Sequence, residues 1–102
     1  MHLVQVLLPV ADNEGRSFPP RLFEHVREVL TERFEGLTAF TRAPAEGFWK
    51  GHPGRTSRDD IVVVEVMVET IEREWWSAYR RELETRFRQQ EIVIRAQDIE
   101  LL

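Results

Sequence analysis

The sequence predicts an α+β domain in which a four-stranded antiparallel sheet carries two helices on one face. Three observations predict it. Four short segments are rich in Val, Ile and Leu with strand-like patterning, two longer segments place apolar residues at helical spacing, and the six alternate as strand, helix, strand, strand, helix, strand. Right-handed crossovers over both helices then set the strands in the spatial order 4-1-3-2.

The first strand is expected over His2 to Leu8, bounded by Pro9 and a turn at Asp12-Asn13-Glu14-Gly15. Ser17 offers a capping hydroxyl ahead of Pro19 and Pro20, which suit a first helical turn because a missing N–H costs little there. Leu22, Val26, Val29, Leu30 and Phe34 form the apolar stripe of that helix, and Gly36 suits a left-handed C-terminal cap. Leu37 to Arg42 alternates as a second strand, and Asp60 to Val68 carries the strongest strand signal in the chain. Thr70 is placed to cap a second helix whose stripe is Trp76, Tyr79, Leu83 and Phe87 and which ends near Gln89. Its solvent side should hold the pairs Glu82 with Arg86 and Glu84 with Arg88. Glu91 to Ala96 alternates as the last strand.

A length of 102 residues sets one domain over 1–102, with a long loop between the second and third strands at about 43–59. With 42% hydrophobic and 31% charged residues the chain should fold into a globule. The formal charge of -4 makes nucleic acid a disfavoured partner. Without cysteine there are no disulfides and no thiolate chemistry. The apolar stretch Leu3 to Val10 is broken by Gln5 and lacks a basic leader. It reads neither as a signal peptide nor as a membrane span, and the expected location is the cytoplasm.

The element order resembles the ferredoxin-like α/β plait over the whole chain, and the chain is similar to small uncharacterised bacterial proteins built on that plan. The resemblance is one of topology, so it transfers no functional residue. An RNA-recognition plait would need aromatics on the third strand, which here reads VVVEVMV, and a metal-carrying plait would need a Cys pair after the first strand, where Pro9-Val10-Ala11-Asp12 stands. Dimeric plaits of the small monooxygenase type and regulatory ligand-binding plaits remain open.

Strand parity gives the sharpest expectation, because successive side chains point to opposite faces. Val62, Val64, Val66 and Val68 should meet the helices, together with Val4, Val6 and Leu8 from the first strand and Ile92, Ile94 and Ala96 from the last. The other face collects Leu3, Gln5 and Leu7, then Ile61, Val63, Glu65 and Met67, then Val93, Arg95 and Gln97. Two helices leave that face uncovered, so a second subunit, a ligand or the long loop must cover it, and a homodimer packed through its sheets is expected.

Gln5, Glu65 and Arg95 fall near the middle of this face on adjacent strands. They form either a ligand-binding cluster, with Glu65 as a proton acceptor and Arg95 holding an anionic oxygen, or a structural ion pair that sets dimer register. The long loop adds Trp49 as a cap on a cavity there, with Arg42, Lys50, His52 and Arg55 attracting an anion, or as a packing residue or dimer arm. Pro53-Gly54 suits the centre of a type II turn at its tip. His52 is a further candidate for moving a proton.

Other patterns point to structure. His2, His25 and His52 show no paired ligand spacing, so no metal and no cofactor is expected. Trp75 adjoins core-facing Trp76 and is expected at the edge or in an oligomer contact. The basic residues Arg73, Arg80, Arg81, Arg86 and Arg88 alternate with Glu72, Glu74, Glu82 and Glu84 and read as a mixed solvated face. Three functions stay open: a homodimer binding a small anionic or apolar ligand at the open face, a cofactor-free enzyme using Glu65 or His52 with Arg42 or Arg95, and a protein-interaction module.

Overall fold

The structure is a computed structural model that describes residues 1–35, 38–44 and 60–102, with backbone alone for Thr38, Arg42, Ala43 and Pro44. Its elements are β1 (His2–Pro9), α1 (Pro20–Arg33), β2 (Thr38–Pro44), β3 (Asp60–Val68), α2 (Arg73–Arg86) and β4 (Val93–Asp98). All neighbouring strands are antiparallel in the order β2-β3-β1-β4, which is 4-1-3-2 read from the other edge. This is the expected α+β, ferredoxin-like arrangement, with β1 and β3 inside and β2 and β4 at the edges.

Both helices cover the same face. Val4, Val6 and Leu8 of β1 and Val64, Val66 and Val68 of β3 are buried against Val26 and Leu30 of α1 and Trp76, Tyr79 and Leu83 of α2. Each such side chain contributes about 1.5–3 kcal/mol by leaving water, so this layer holds the fold together. Its α2 stripe of Trp76, Tyr79, Leu83 and Phe87 is the one the spacing predicts. No helix among the described residues is long and apolar enough to cross a membrane.

Aromatic contacts tie the helices together. Phe34, just past α1, stacks on Trp76 at 5.2 Å and meets Trp75 edge-on at 5.3 Å, while Trp75 also stacks on Tyr79 at 5.0 Å. Trp75 is therefore half-buried within the chain, with the Arg33 guanidinium 5.1 Å over its ring, and its packing is intramolecular. At the other end Phe87 receives the edge of Phe18 at 5.1 Å.

The helix ends differ from expectation. Pro19 is the N-cap of α1 and no side chain caps it. Ser17 is instead drawn into an isolated bridge with Ala11. That bridge closes a small hairpin in which Asp12 Oδ1 accepts from the backbone N–H groups of Glu14 and Arg16, and Gly15 takes the positive φ of 83°. Phe34 ends α1 in extended geometry, so no left-handed cap follows directly, and Gly36 lies outside the described residues. At α2 the N-cap is Glu72, not Thr70.

The C-terminus of α2 explains why Glu84 does not pair with Arg88. The Arg88 N–H donates to the Thr85 carbonyl and the Gln89 N–H to the Glu84 carbonyl, the pattern of a Schellman motif, with Arg88 at φ 50°. Arg88 thus turns away toward Asp12, at 3.6 Å, and Glu84 instead accepts from Arg80 at 3.0 Å. The Glu82 and Arg86 pair forms at 3.3 Å.

Two outcomes are expected. Arg88→Gly removes the Cβ clash of a left-handed residue and should stabilise the fold by about 1 kcal/mol in urea unfolding; a loss of stability would mean that the contact with Asp12 outweighs the strain. The Asp12 carboxyl is held below its ordinary range, first by the Arg16 backbone N–H. A lowered folded-state pKa stabilises above the unfolded value and is lost as pH falls through the folded one. The stability gap between wild type and Asp12→Asn should therefore be widest near neutrality and narrow on acidification below about pH 4.

Candidate functional site

The face away from the helices carries a polar row at its centre. In register, Gln5 of β1 lies opposite Glu65 of β3 on one side and Arg95 of β4 on the other. The Gln5 Nε2 donates to Glu65 Oε2 at 2.6 Å, and Arg95 Nε donates to Gln5 Oε1 at 2.8 Å. The amide is thus used at both ends, as acceptor from a cation and donor to an anion, and the three side chains form one chain of charge-assisted hydrogen bonds.

Apolar side chains flank the row. Toward the Pro9 end Leu7, Ile61 and Val63 are buried, and Val93 packs against them half-buried. Toward the other end Leu3 and Met67 sit opposite one another, both half-buried. Gln5 and Glu65 are half-buried, whereas Arg95 on the edge strand is exposed. Parity generates this face: the residues between the helix-facing valines of β1 and β3 have nowhere else to point.

Of the residues singled out from the sequence, Gln5, Glu65 and Arg95 are brought together. Arg42 pairs with Val62, a register position on the helix side of the sheet, so its place in β2 is not shared with the polar row. Trp49 and His52, like the Pro53-Gly54 turn, lie outside the described residues. Among the described residues no group of three or more His, Asp or Glu side chains comes together to hold a metal, and His2 instead approaches Asp98 at 2.7 Å across the β1–β4 pair.

Two grooves open on the helix side. One, of about 420 Å³, lies between α1 and the β2 edge, where the Arg27 guanidinium sits 4.6 Å over the Phe40 ring. The second, of about 220 Å³, lies between α2 and β4, with Arg73, Trp76, Ser77 and Arg80 on its helix wall. Interleaved charge along α2 had suggested only a solvated face. The signal that marks this groove is spacing: positions 73, 76, 77 and 80 share one helix face. Next to it, Trp76 Nε1 and Tyr79 Oη are buried with no hydrogen-bond partner among the described residues. Burial also pushes the Tyr79 hydroxyl well above its ordinary pKa, with Glu82 adding to the effect, so it remains a neutral phenol.

No protein-family model matches the chain, and comparison with curated proteins and with solved structures returned no match.

If the row is one coupled unit, Gln5→Met, which keeps bulk but removes both hydrogen bonds, should cost about 1–2 kcal/mol in urea unfolding. A double-mutant cycle with Glu65→Met should give a coupling of about 1 kcal/mol. A coupling near zero would reduce the row to a set of independent surface contacts.

Proposed function

We propose that this chain is a small binding module of the ferredoxin-like superfamily that works as a homodimer joined through its sheet faces and takes a small anionic or apolar ligand where those faces meet. On this reading it groups with small bacterial proteins built on the same plan. The observation that carries the proposal is the polar row. It crosses a face that is already buried within the chain at Leu7, Ile61 and Val63 and half-buried at Leu3 and Met67, and it has opposite charges at its two ends, Glu65 on β3 and Arg95 on β4, with Gln5 on β1 between them.

Such a row is self-complementary under one symmetry. A twofold axis running along β1 between two stacked sheets exchanges left and right across the strands, so Glu65 of each copy lies over Arg95 of the other. Leu3 and Met67 supply the apolar contact beside it. An axis across the strands would oppose like charges, which selects against that packing. Arg95 would then also be the group that offers an anionic ligand a guanidinium at the junction.

The enzymatic reading has less behind it. Glu65 stands on a half-buried apolar face, as a proton acceptor would, but one of its carboxylate oxygens is already taken by Gln5. A base held in that way is better suited to fixing register than to abstracting a proton.

Light scattering at micromolar concentration tests the proposal. The wild type should be a dimer, and Met67→Glu should be a monomer with an unchanged far-ultraviolet dichroism spectrum. Glu65→Arg and Arg95→Glu should each weaken the dimer, and the two together should restore it. A wild-type monomer would overturn the homodimer and leave the face to a different protein.

A further inference from the structure

The groove between α2 and β4 is lined by donors and by carbon. Its helix wall presents the guanidinium groups of Arg73 and Arg80 and the Ser77 hydroxyl, Val4, Ile71, Ile94 and Ala96 give it apolar walls with the Trp76 ring, and Arg95 borders it on β4. No Asp or Glu lines it. Of the nearby carboxylates, Glu72 accepts from Arg33 at 2.7 Å, while Glu84, beyond the groove, accepts from the groove's own Arg80 at 3.0 Å and from the Ile92 N–H at 3.1 Å.

Position adds to this. Arg73 is the first residue of α2, so one end of the groove lies at the positive end of the helix dipole, while Arg80, two turns on, contributes through its own charge. An Arg carries five N–H donors in a planar fork, so Arg80 can keep Glu84 and still address a second acceptor. The lining thus holds donors and apolar carbon and no carboxylate, and what completes it is an anion with an apolar body.

We propose that this groove binds a small aliphatic carboxylic acid, its carboxylate held between Arg73 and Arg80 beside Ser77 and its chain laid along Ile71, Ile94 and Trp76. The groove, about 220 Å³, is open along one side, and a short chain is enough to cover its apolar walls. The site lies on the helix side of the sheet and touches the Gln5 row only through Arg95, which borders both; it does not rest on the homodimer.

Hexanoate is the probe, with hexylamine, hexan-1-ol and acetate as comparisons, followed by the assigned Trp76 indole signal in amide correlation spectra. Hexanoate should shift that signal saturably with a Kd on the order of 1 mM, and the other three should not saturate it in the same range. Arg73→Gln and Ser77→Glu are changes at exposed positions that leave the core intact, and each should weaken binding about tenfold or more. The proposal is overturned if hexanoate produces no saturable shift, if hexan-1-ol or acetate binds as well, if the two variants bind like wild type, or if the shifts map to Leu3, Gln5 and Met67 on the sheet face.

Discussion

The pleat of the two inner strands is the constraint on which the rest of this structure depends. β1 and β3 pair over eight residues, from His2 opposite Val68 to Pro9 opposite Ile61, and each sends alternate side chains to opposite sides. One row, of Val4, Val6, Leu8, Val64, Val66 and Val68, is buried beneath both helices. The other row contains Gln5 and Glu65. A slip of one residue in either strand would carry a carboxylate or an amide under the helices, where neither has a partner, at a cost of several kcal/mol. The polar residues on the far face thus act on the core: they forbid any slip by an odd number of residues.

The helices inherit their positions from that register. With the valine row fixed, α1 and α2 settle over it through Val26, Leu30, Trp76, Tyr79 and Leu83, and Phe34 and Trp75 close the gap between them. Most of the aromatic area gathers where α1 ends and α2 begins. The β4 side of α2 receives less, with Ile94 half-buried and Ala96 exposed, and a groove remains there. β4 therefore has two roles, offering Ile94 and Ala96 to the groove and Arg95 both to the Gln5 row and to the groove's border.

The sheet was legible in the sequence because its signals are local and redundant. Four alternate valines in β3 and the alternation in β1 fix both parity and, with the crossover rule, which strands are neighbours. The meeting of Gln5, Glu65 and Arg95 follows from those two facts alone. Helix ends were less legible, since they are decided by competition. Ser17 and Thr70 are good capping residues, yet Ser17 is used by the hairpin that Asp12 organises, and the backbone reaches α2 two residues beyond Thr70. Glu84 had Arg80 and Arg88 at equal spacing, and a Schellman turn at the end of the helix removed Arg88 from reach. The groove was hidden for a different reason, because alternating signs along a sequence do not reveal how charges divide around a helix.

That division also separates the net charge of the chain from the field at any one place on it. A formal charge of -4 disfavours anions on average, but several of the carboxylates are compensated locally. Glu72 is held by Arg33, Glu82 by Arg86, Glu14 and Asp12 by Arg16, and Glu65 faces Gln5. At separations beyond a Debye length of roughly 8 Å such pairs contribute little in physiological salt, so a ligand approaching α2 from the β4 side meets Arg73, Arg80 and the helix N-terminus before it meets the rest of the molecule. The chemistry this fold can perform is set at that scale, by which few side chains alternation and helical spacing bring to one surface.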